Sequence, residues 1–341
     1  MIRRPPRSTP VTPRRQRQMC IRDRSGLVAA RELRECSEVI IFEKSRGVGG
    51  RMATRYNEDF EFDHGAQFFT ARSLTFKEYL QPLIDRGVAA AWHARFAELD
   101  HDKIAATRDW DDTYPHYVGA PRMNAIGQYL ADGLTIQRET TIARLDRTAD
   151  GWGLADTNGK VLGTFDWVIS SMPAAQTAAL APVDSSLRHV AENKRMRSCC
   201  ALVLGFAQPL SLPWQAALVR GADISWVSVN SSKPGRSEQF TLVVHSTNAY
   251  ADAHIDEDLE VVREHLLGDI SRVVGIDSRT AEFCQLQRWR YANADKQEGA
   301  PFFVDPGSRL AACGDWFRRG RVEAAFTSGF ELAAELRLSL I

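Results

Sequence analysis

The sequence lacks several features that would place it in a protein class at once. No apolar run approaches the roughly 20 residues that a membrane-spanning helix needs, so we expect no membrane association. The six cysteines show no C-x-x-C spacing, which argues against that kind of metal or redox motif and favours free thiols in a reducing cytoplasm. No Ser/His/Asp set and no metal-ligand set has a convincing spacing, so we expect no catalytic triad and no bound metal.

An excess of charge is also missing, since 43 basic residues balance 43 acidic ones. The balance is uneven, because residues 1–24 hold eight arginines and one aspartate and the rest of the chain carries a net charge of −7. An acidic body argues against a nucleic-acid-binding surface. With 341 residues and an ordinary globular composition, the chain is long enough for about two domains.

Residues 1–24 contain four prolines and no hydrophobic period, so we expect a disordered leader that is foreign to the fold. A transit peptide or a basic arm for nucleic acid would also be rich in arginine, and both alternatives stay open. A dinucleotide-binding unit begins with an apolar strand and a G-x-G-x-x-G turn. If Gly26 is the third glycine, Ile21 and Asp23 occupy the first two glycine positions. We therefore predict that the first strand and its glycine turn are missing.

The second half of such a unit is present. A helix is predicted from Ser25, and Val39–Phe42 reads as a strand that ends at Glu43, where a carboxylate would accept hydrogen bonds from a ribose. The glycines of residues 47–50 and then Arg51 follow, an order that suits backbone and guanidinium groups beside a phosphate. Near the C-terminus, apolar Leu310–Cys313 ends at Gly314-Asp315, and a final helix is predicted to begin at residues 320–323.

Five segments together are similar to the FAD-dependent amine oxidase superfamily, and among its branches to the bacterial renalase-like one. They are FEKSRGVGGRM (42–52), DHGAQFFTAR (63–72), YVGAPRMNAIG (117–127), QRWRYANA (287–294) and GDWFRRGRVEAAFTSGFELAAEL (314–336). The resemblance runs from about Ser25 to the C-terminus.

The resemblance implies an α/β fold. It would have a Rossmann-like FAD-binding domain, incomplete at its first strand, and an interleaved α+β substrate domain built on an antiparallel sheet. The FAD-binding domain would comprise residues 25–75, 131–184 and 291–341, and the substrate domain residues 76–130 and 185–290. Predicted strands of that sheet include Cys200–Phe206, Ile224–Asn230, Phe240–Ser246 and Glu282–Arg288, with a helix from Asp256 to about Val273.

The resemblance also implies residue roles toward non-covalent FAD. Cofactor-binding residues would be Gly26, Glu43, Lys44, Gly49, Gly50, Arg51, Met52, Gly65, Ala66, Gln67, Phe68, Ile142, Gly314, Asp315, Arg321, Val322, Glu323 and Ala324. Residues predicted to face the reacting ring as catalytic or substrate contacts are His245, Gln67, Trp289 and Tyr291, with Phe69 and Arg72 beside them. A helix N-terminus at Val322 would favour the negative charge of a reduced flavin.

The leading functional hypothesis is a cytoplasmic oxidase. A reduced small molecule would give hydride to FAD, and O2 would reoxidise the flavin to H2O2. The renalase resemblance implies that the substrate is an isomer of dihydro-NAD(P), already primed to lose hydride, so that no strong general base is needed. One alternative is an amine oxidase, which should show an aromatic cage and often a lysine near the flavin; only Lys44 lies in the cofactor motifs, at the adenosine end. The other is a chain too truncated to bind FAD. Oligomeric state is left open.

Overall fold

The structure, a computed structural model, describes residues 16–20, 24–57 and 59–338. Its helices are α1 Arg24–Leu33, α2 Leu74–Asp85, α3 Ala125–Ala131, α4 Ala174–Leu180, α5 Ser186–Glu192, α6 Asn248–His254, α7 Leu259–Val274 and α8 Val322–Leu338. Its strands are β1 Gln16–Cys20, β2 Glu38–Phe42, β3 Arg55–Tyr56, β4 Glu61–Phe62, β5 Ala89–Ala91, β6 Ala94–Asp100, β7 Lys103–Trp110, β8 Tyr117–Gly119, β9 Thr135–Gln137, β10 Ile142–Thr148, β11 Gly151–Asp156, β12 Val161–Phe165, β13 Val168–Ser170, β14 Met196–Phe206, β15 Ala216–Arg220, β16 Ile224–Val229, β17 Phe240–Ser246, β18 Phe283–Ala294, β19 Phe302–Asp305 and β20 Leu310–Cys313.

A six-stranded sheet in the order β19-β20-β13-β1-β2-β9 forms the Rossmann-like domain. All of its pairings are parallel except β19 with β20. Parallel sheets are covered on both faces, which explains why Leu310–Cys313 is apolar and buried throughout. The carboxyl ends of these strands carry Glu43 and Gly314-Asp315, so the predicted cofactor residues share one edge of the sheet.

The prediction that the first strand is missing is wrong. Gln16–Cys20 lies between β2 and β13 and pairs with both in parallel, with Gln18 opposite Ile40 and Val168. The central position of a parallel sheet offers unpaired N–H and C=O groups on both sides, and any extended backbone without proline can satisfy them. The prediction of a disordered leader is therefore wrong for Gln16–Cys20, which forms β1, and for Arg24, which begins α1. Residues 1–15 and 21–23, including Ile21 and Asp23, lie outside the described residues.

Helix α1 packs on the final helix α8, as a Rossmann-like unit requires. Its buried face presents Leu27, Ala30 and Leu33, and α8 contributes Leu332. A Cβ added to Gly329 would lie 2.0 Å from the carbonyl oxygen of Ser25, so glycine is what allows the two backbones to meet.

The second layer is a seven-stranded sheet in the order β18-β14-β17-β16-β15-β6-β7, antiparallel except between β15 and β6. It confirms the predicted antiparallel sheet, and β17 has the predicted bounds. β14 is buried from Ser198 to Phe206 because the sheet is covered on both sides, by α6 and α7 on one. Smaller sheets pair β10-β11-β12, β3 with β4 and β5 with β8.

Packing at the domain boundaries differs in detail from the predicted segments. Helix α3 packs on α1, with Ile126 and Leu130 in the core of the Rossmann-like domain, and α5 packs on α4 beside β20. Residues 125–130 of α3 and all of α5 lie within segments assigned to the substrate domain. No helix among the described residues is long and apolar enough to cross a membrane. Cys36, Cys199, Cys200 and Cys284 form no disulfide bond in the described part of the structure.

Candidate active site

A cavity of about 1160 Å³ lies where the two sheets meet. Its wall combines the loop after β4, the N-terminus of α8, and residues of β16, β17 and β18. The structure brings many predicted residues to this wall. They are Arg51, Gly65, Ala66, Gln67, Phe68, Phe69, Arg72, His245, Trp289, Asp315, Arg321, Val322, Glu323 and Ala324. Tyr291 is not among the lining residues, and Met52 is fully buried in the core instead.

A smaller cavity of about 280 Å³ lies at the carboxyl end of β2, between β10 and α4. Lys44 and Ile142 line it, together with Met172, and its wall is largely apolar. Glu43 is buried at the same strand end, and its Oε1 accepts a hydrogen bond of 2.8 Å from the backbone N–H of Ser45. An apolar slot beside a carboxylate at a strand end suits a purine and its ribose.

Arg51 and Asp315 join the two halves of the predicted cofactor groove. Nη2 of Arg51 lies 2.7 Å from Oδ1 of Asp315, and Nη1 lies 2.8 Å from Oδ2. Nη1 also donates to the carbonyl of Ala292 at 3.0 Å. Both charged side chains are mostly buried, so this two-bond pair fixes the glycine turn of residues 47–50 against the end of β20.

The loop after β4 is tied to that same turn. The backbone N–H of Ala66 donates to the carbonyl of Arg51 at 2.8 Å. A Cβ on Gly65 would lie 2.0 Å from the same oxygen, so only glycine permits this approach. The two motifs that the sequence presents as separate turns therefore form one backbone unit.

Gln67 is held by a buried polar network. Its Oε1 accepts from Nζ of Lys233 at 3.1 Å and from Oγ of Ser228 at 2.8 Å. The amide nitrogen therefore faces the other way, toward the carbonyl of Gly65 at 3.0 Å and Nε2 of His245 at 3.4 Å. Gln67 and His245, predicted from distant segments, are neighbours in the structure.

Lys233, between β16 and β17, was not among the predicted site residues. Its side chain is fully buried and also contacts Asp63 and Asn230. Burial lowers the pKa of Lys233 to about 8, against the opposing effect of Asp63. A lysine followed by Pro-Gly is usually a solvated loop residue, so no sequence signal was present.

Three histidines near the cavity are neutral at pH 7. Burial lowers the pKa values of His64, His116 and His245 to about 4. His64 stacks on Trp289 at 5.1 Å, and its carbonyl accepts from the indole N–H of Trp289 at 3.0 Å. Neutral imidazoles can hydrogen-bond a substrate without adding charge.

An aromatic wall, which the sequence did not predict, closes one side of the cavity. It consists of Phe68, Trp110, Tyr114, His116 and Trp226. The rings of Trp110 and His116 are stacked at 3.8 Å and 2°, and Phe68 lies 5.4 Å from Trp226. Four of the five line the cavity, and Trp110 supports them from behind. The wall offers a flat apolar surface to a ring.

The lining is strongly basic. It includes seven basic side chains and only two carboxylates, Asp315 and Glu323. The basic residues are Arg51, Arg72, Arg108, Lys296, Arg318, Arg319 and Arg321. Asp315 is paired with Arg51, and Glu323 accepts from the backbone N–H groups of Arg72 and Ser73. A basic cavity in an otherwise acidic body favours an anionic ligand.

The residues present fit FAD. The small apolar cavity with Glu43 suits the adenosine, and the N-terminus of α8 at Val322 presents backbone N–H groups to the large cavity, where they favour negative charge. Three predicted cofactor residues do not line either cavity, although they are close in sequence to residues of the groove: Gly26, Gly49 and Gly50.

Comparisons with known proteins agree with this geometry. The sequence-family model of an NAD(P)-binding Rossmann-like domain matches residues 24–83. The family model of the flavin containing amine oxidoreductases matches residues 77–337, about three quarters of the chain.

Solved structures show the same fold at low sequence identity. A protein of Exiguobacterium sp. 255-15, provisionally named a protoporphyrinogen oxidase, is 12% identical with a TM-score of 0.77, covering 95% of this chain and 99% of that one. Cyclohexylamine oxidase from Brevibacterium oxydans IH-35A is 11% identical with a TM-score of 0.71, covering 96% and 100%. Putrescine oxidase bound to putrescine is 11% identical with a TM-score of 0.69, covering 95% and 99%.

Proposed function

The chain belongs to the flavin containing amine oxidoreductase family, and from that premise we propose that it is an FAD-dependent oxidase of dihydronicotinamide nucleotide isomers. In this reaction the dihydronicotinamide loses a hydride and becomes the aromatic nicotinamide cation, while O2 and one proton take up the hydride to give H2O2. When bound, FAD supplies the acceptor that passes this electron pair to O2.

The observation that carries the proposal is the charge of the cavity lining. Seven basic side chains face two carboxylates, and the phosphates of FAD offset only part of that excess. A nucleotide substrate is attracted by such a field, whereas a protonated amine is repelled. The aromatic wall adds a surface on which a nicotinamide ring stacks.

The side chains at the reacting face position the substrate and do not remove a proton from it. His245 is neutral at pH 7, and its Nε2 lies beside the Gln67 amide. Trp289 is fixed by its bond to the His64 carbonyl. We propose that His245, Gln67 and Trp289 contact the dihydronicotinamide ring. Tyr291, outside the lining, would act on it only through Trp289.

An amine oxidase remains the second candidate, because two features favour it. The aromatic wall is the kind of cage that such an enzyme uses, and Lys233 lies next to Gln67 although it belongs to no cofactor motif. The third hypothesis, a chain that cannot hold FAD, loses one of its two grounds, since β1 fills the position of the first strand. Its other ground is the pair Ile21 and Asp23 at the glycine positions.

The test is anaerobic mixing of the FAD-loaded protein with two substrate panels. We expect dihydronicotinamide isomers to bleach the flavin absorbance within seconds, and putrescine, cyclohexylamine and benzylamine to leave it unchanged. The common 1,4-dihydro isomer has the same charge and size as the other dihydronicotinamide isomers and is the matched compound for that panel. Bleaching by amines alone would establish the second candidate. Protein that takes up no FAD when purified with excess cofactor would establish the third.

A further inference from the structure

Three arginines of the basic lining form a cluster at one end of the cavity, which we call the arginine cluster: Arg72, Arg319 and Arg321. All three line the cavity. They lie close enough that Arg319 and Arg72 add to the effect of burial in lowering the pKa of Arg321. Arg72 and Arg321 are exposed and Arg319 is half-buried, so water screens part of their mutual repulsion, and an anion bound between them would offset the rest.

Among the described residues, Glu323 is the carboxylate that opposes this effect on Arg321. No ion pair involves the side chain of any of the three among residues 16–20, 24–57 and 59–338. The nearest carboxylate, Glu323, has one oxygen 3.0 Å from the Arg72 backbone N–H and the other 2.7 Å from that of Ser73. Glu323 therefore anchors the loop that carries Arg72 to the start of α8, and its single charge offsets only part of the three guanidinium charges.

A continuous set of contacts links the cluster to the aromatic wall. Nε of Arg72 donates to the hydroxyl of Tyr114 at 3.0 Å, and the Tyr114 ring meets His116 edge-on at 5.8 Å. His116 lies 5.1 Å from Phe68. A ligand that stacks a ring on this wall and carries an anionic group would reach the guanidinium groups with that group.

We propose that Arg72, Arg319 and Arg321 bind a phosphate of the substrate, so that the enzyme selects phosphorylated nicotinamide nucleotides over the corresponding nucleosides. This inference rests on the proposed function and adds to it a recognition element. Guanidinium groups match phosphate oxygens in geometry and charge, and three of them around one anion give selectivity as well as affinity. Arg51, paired with Asp315 beside the glycine turn, is left to the cofactor side.

The experiment measures binding of product-like ligands to the FAD-loaded protein, so that turnover does not enter. Nicotinamide mononucleotide and nicotinamide riboside differ by one phosphate, and quenching of the wall tryptophans Trp110 and Trp226 reports their binding. We expect the mononucleotide to bind about tenfold to a hundredfold more tightly. R319Q and R321Q should remove most of that difference, R319Q should leave riboside binding unchanged, and R319K should restore part of the difference. The matched control is R279Q, which removes an exposed arginine of another region.

Each alternative result has a defined meaning. Equal loss of both ligands in R319Q and R321Q, or equal affinity for both in the unaltered protein, would overturn the phosphate site. So would loss of FAD from R319Q or R321Q, since the arginines would then serve the cofactor. If no dihydronicotinamide bleaches the flavin, the proposed function fails by itself; the phosphate site then stands only if inorganic pyrophosphate binds to the unaltered protein and to R279Q but about tenfold more weakly to R319Q.

Discussion

Asp63 is the centre of the buried network beneath the cavity, and its removal should be the most damaging single change there. Its Oδ2 lies 3.5 Å from Nζ of Lys233 and 3.1 Å from Nε of Arg236. Its Oδ1 accepts from Thr54 at 2.7 Å and from the backbone N–H of Met123 at 3.0 Å. Burial by itself would raise the pKa of Asp63, but the two cations outweigh it and the pKa is lowered. The carboxylate is therefore charged at pH 7.

Removing one partner from a buried charge cluster costs about 3–5 kcal/mol, because the remaining charge is left uncompensated. D63N leaves two buried cations without their carboxylate, so we expect a loss of that size in the free energy of unfolding. K233M should cost less, about 1–3 kcal/mol. Each acceptor that Lys233 leaves keeps another donor: Asp63 keeps Arg236, Gln67 keeps Ser228, and Asn230 keeps the backbone N–H of Asp63. The double variant should be clearly less destabilised than the sum of the two, since K233M removes one of the stranded cations.

Urea denaturation followed by tryptophan fluorescence measures all four proteins, compared as FAD-free chains so that cofactor loss does not enter. The urea midpoint should be highest for the unaltered protein, lower for K233M and lowest for D63N. The double variant should lie just above D63N. Additive effects would show that Asp63 and Lys233 are not coupled. A D63N protein as stable as the unaltered one would refute the buried-charge argument as a whole.

Three further changes test other parts of the site. G65A should lower both the melting temperature and FAD retention, because its Cβ would meet the Arg51 carbonyl at 2.0 Å. The control G47A, with nothing within 4 Å of its Cβ, should be close to neutral. Equal effects of the two substitutions in thermal scans would contradict the close approach. D315N breaks the two-bond pair with Arg51 and should weaken FAD binding about tenfold in a titration followed by flavin fluorescence, and unchanged affinity would remove the pair from the cofactor groove. His245 has a pKa of about 4 against an ordinary value of 6.5, so its contribution is complete above pH 6.5 and is lost as the pH falls through 4. H245N should flatten the dependence of unfolding free energy on pH in that window by up to about 3 kcal/mol, and an unaltered slope would show that His245 does not titrate there.

The predictions from the sequence were most reliable where a local pattern has one physical meaning. Phe240–Ser246 is rich in apolar residues without a regular polar–apolar alternation, which identified a buried strand. The apolar run Leu310–Cys313 followed by Gly-Asp identified the end of another strand. Gln67 and Arg51, which the resemblance assigns to the cofactor site, both line the cavity. Such signals depend on neighbours in the chain.

The first strand was missed because its signal is not local. Gln16–Cys20 has no apolar run, and its pairing depends on open backbone groups of β2 and β13, the latter about 150 residues away. Composition indicated only that residues 1–24 lack an apolar strand pattern. It could not indicate that the sheet has a position for an extended segment there.

The sequence by itself determined the strand ends that carry Glu43 and Asp315 and the glycines of residues 47–50, because each is encoded by residues within about ten positions of one another. The fold class came from the resemblance of five segments spread along the chain. Only the tertiary structure decided which side chains meet. It placed Lys233 against Gln67, stacked His116 on Trp110, and assembled the arginine cluster from the loop after β4 and the start of α8. The charge and shape of a cavity are sums over residues far apart in the chain, and long-range packing alone brings those residues together.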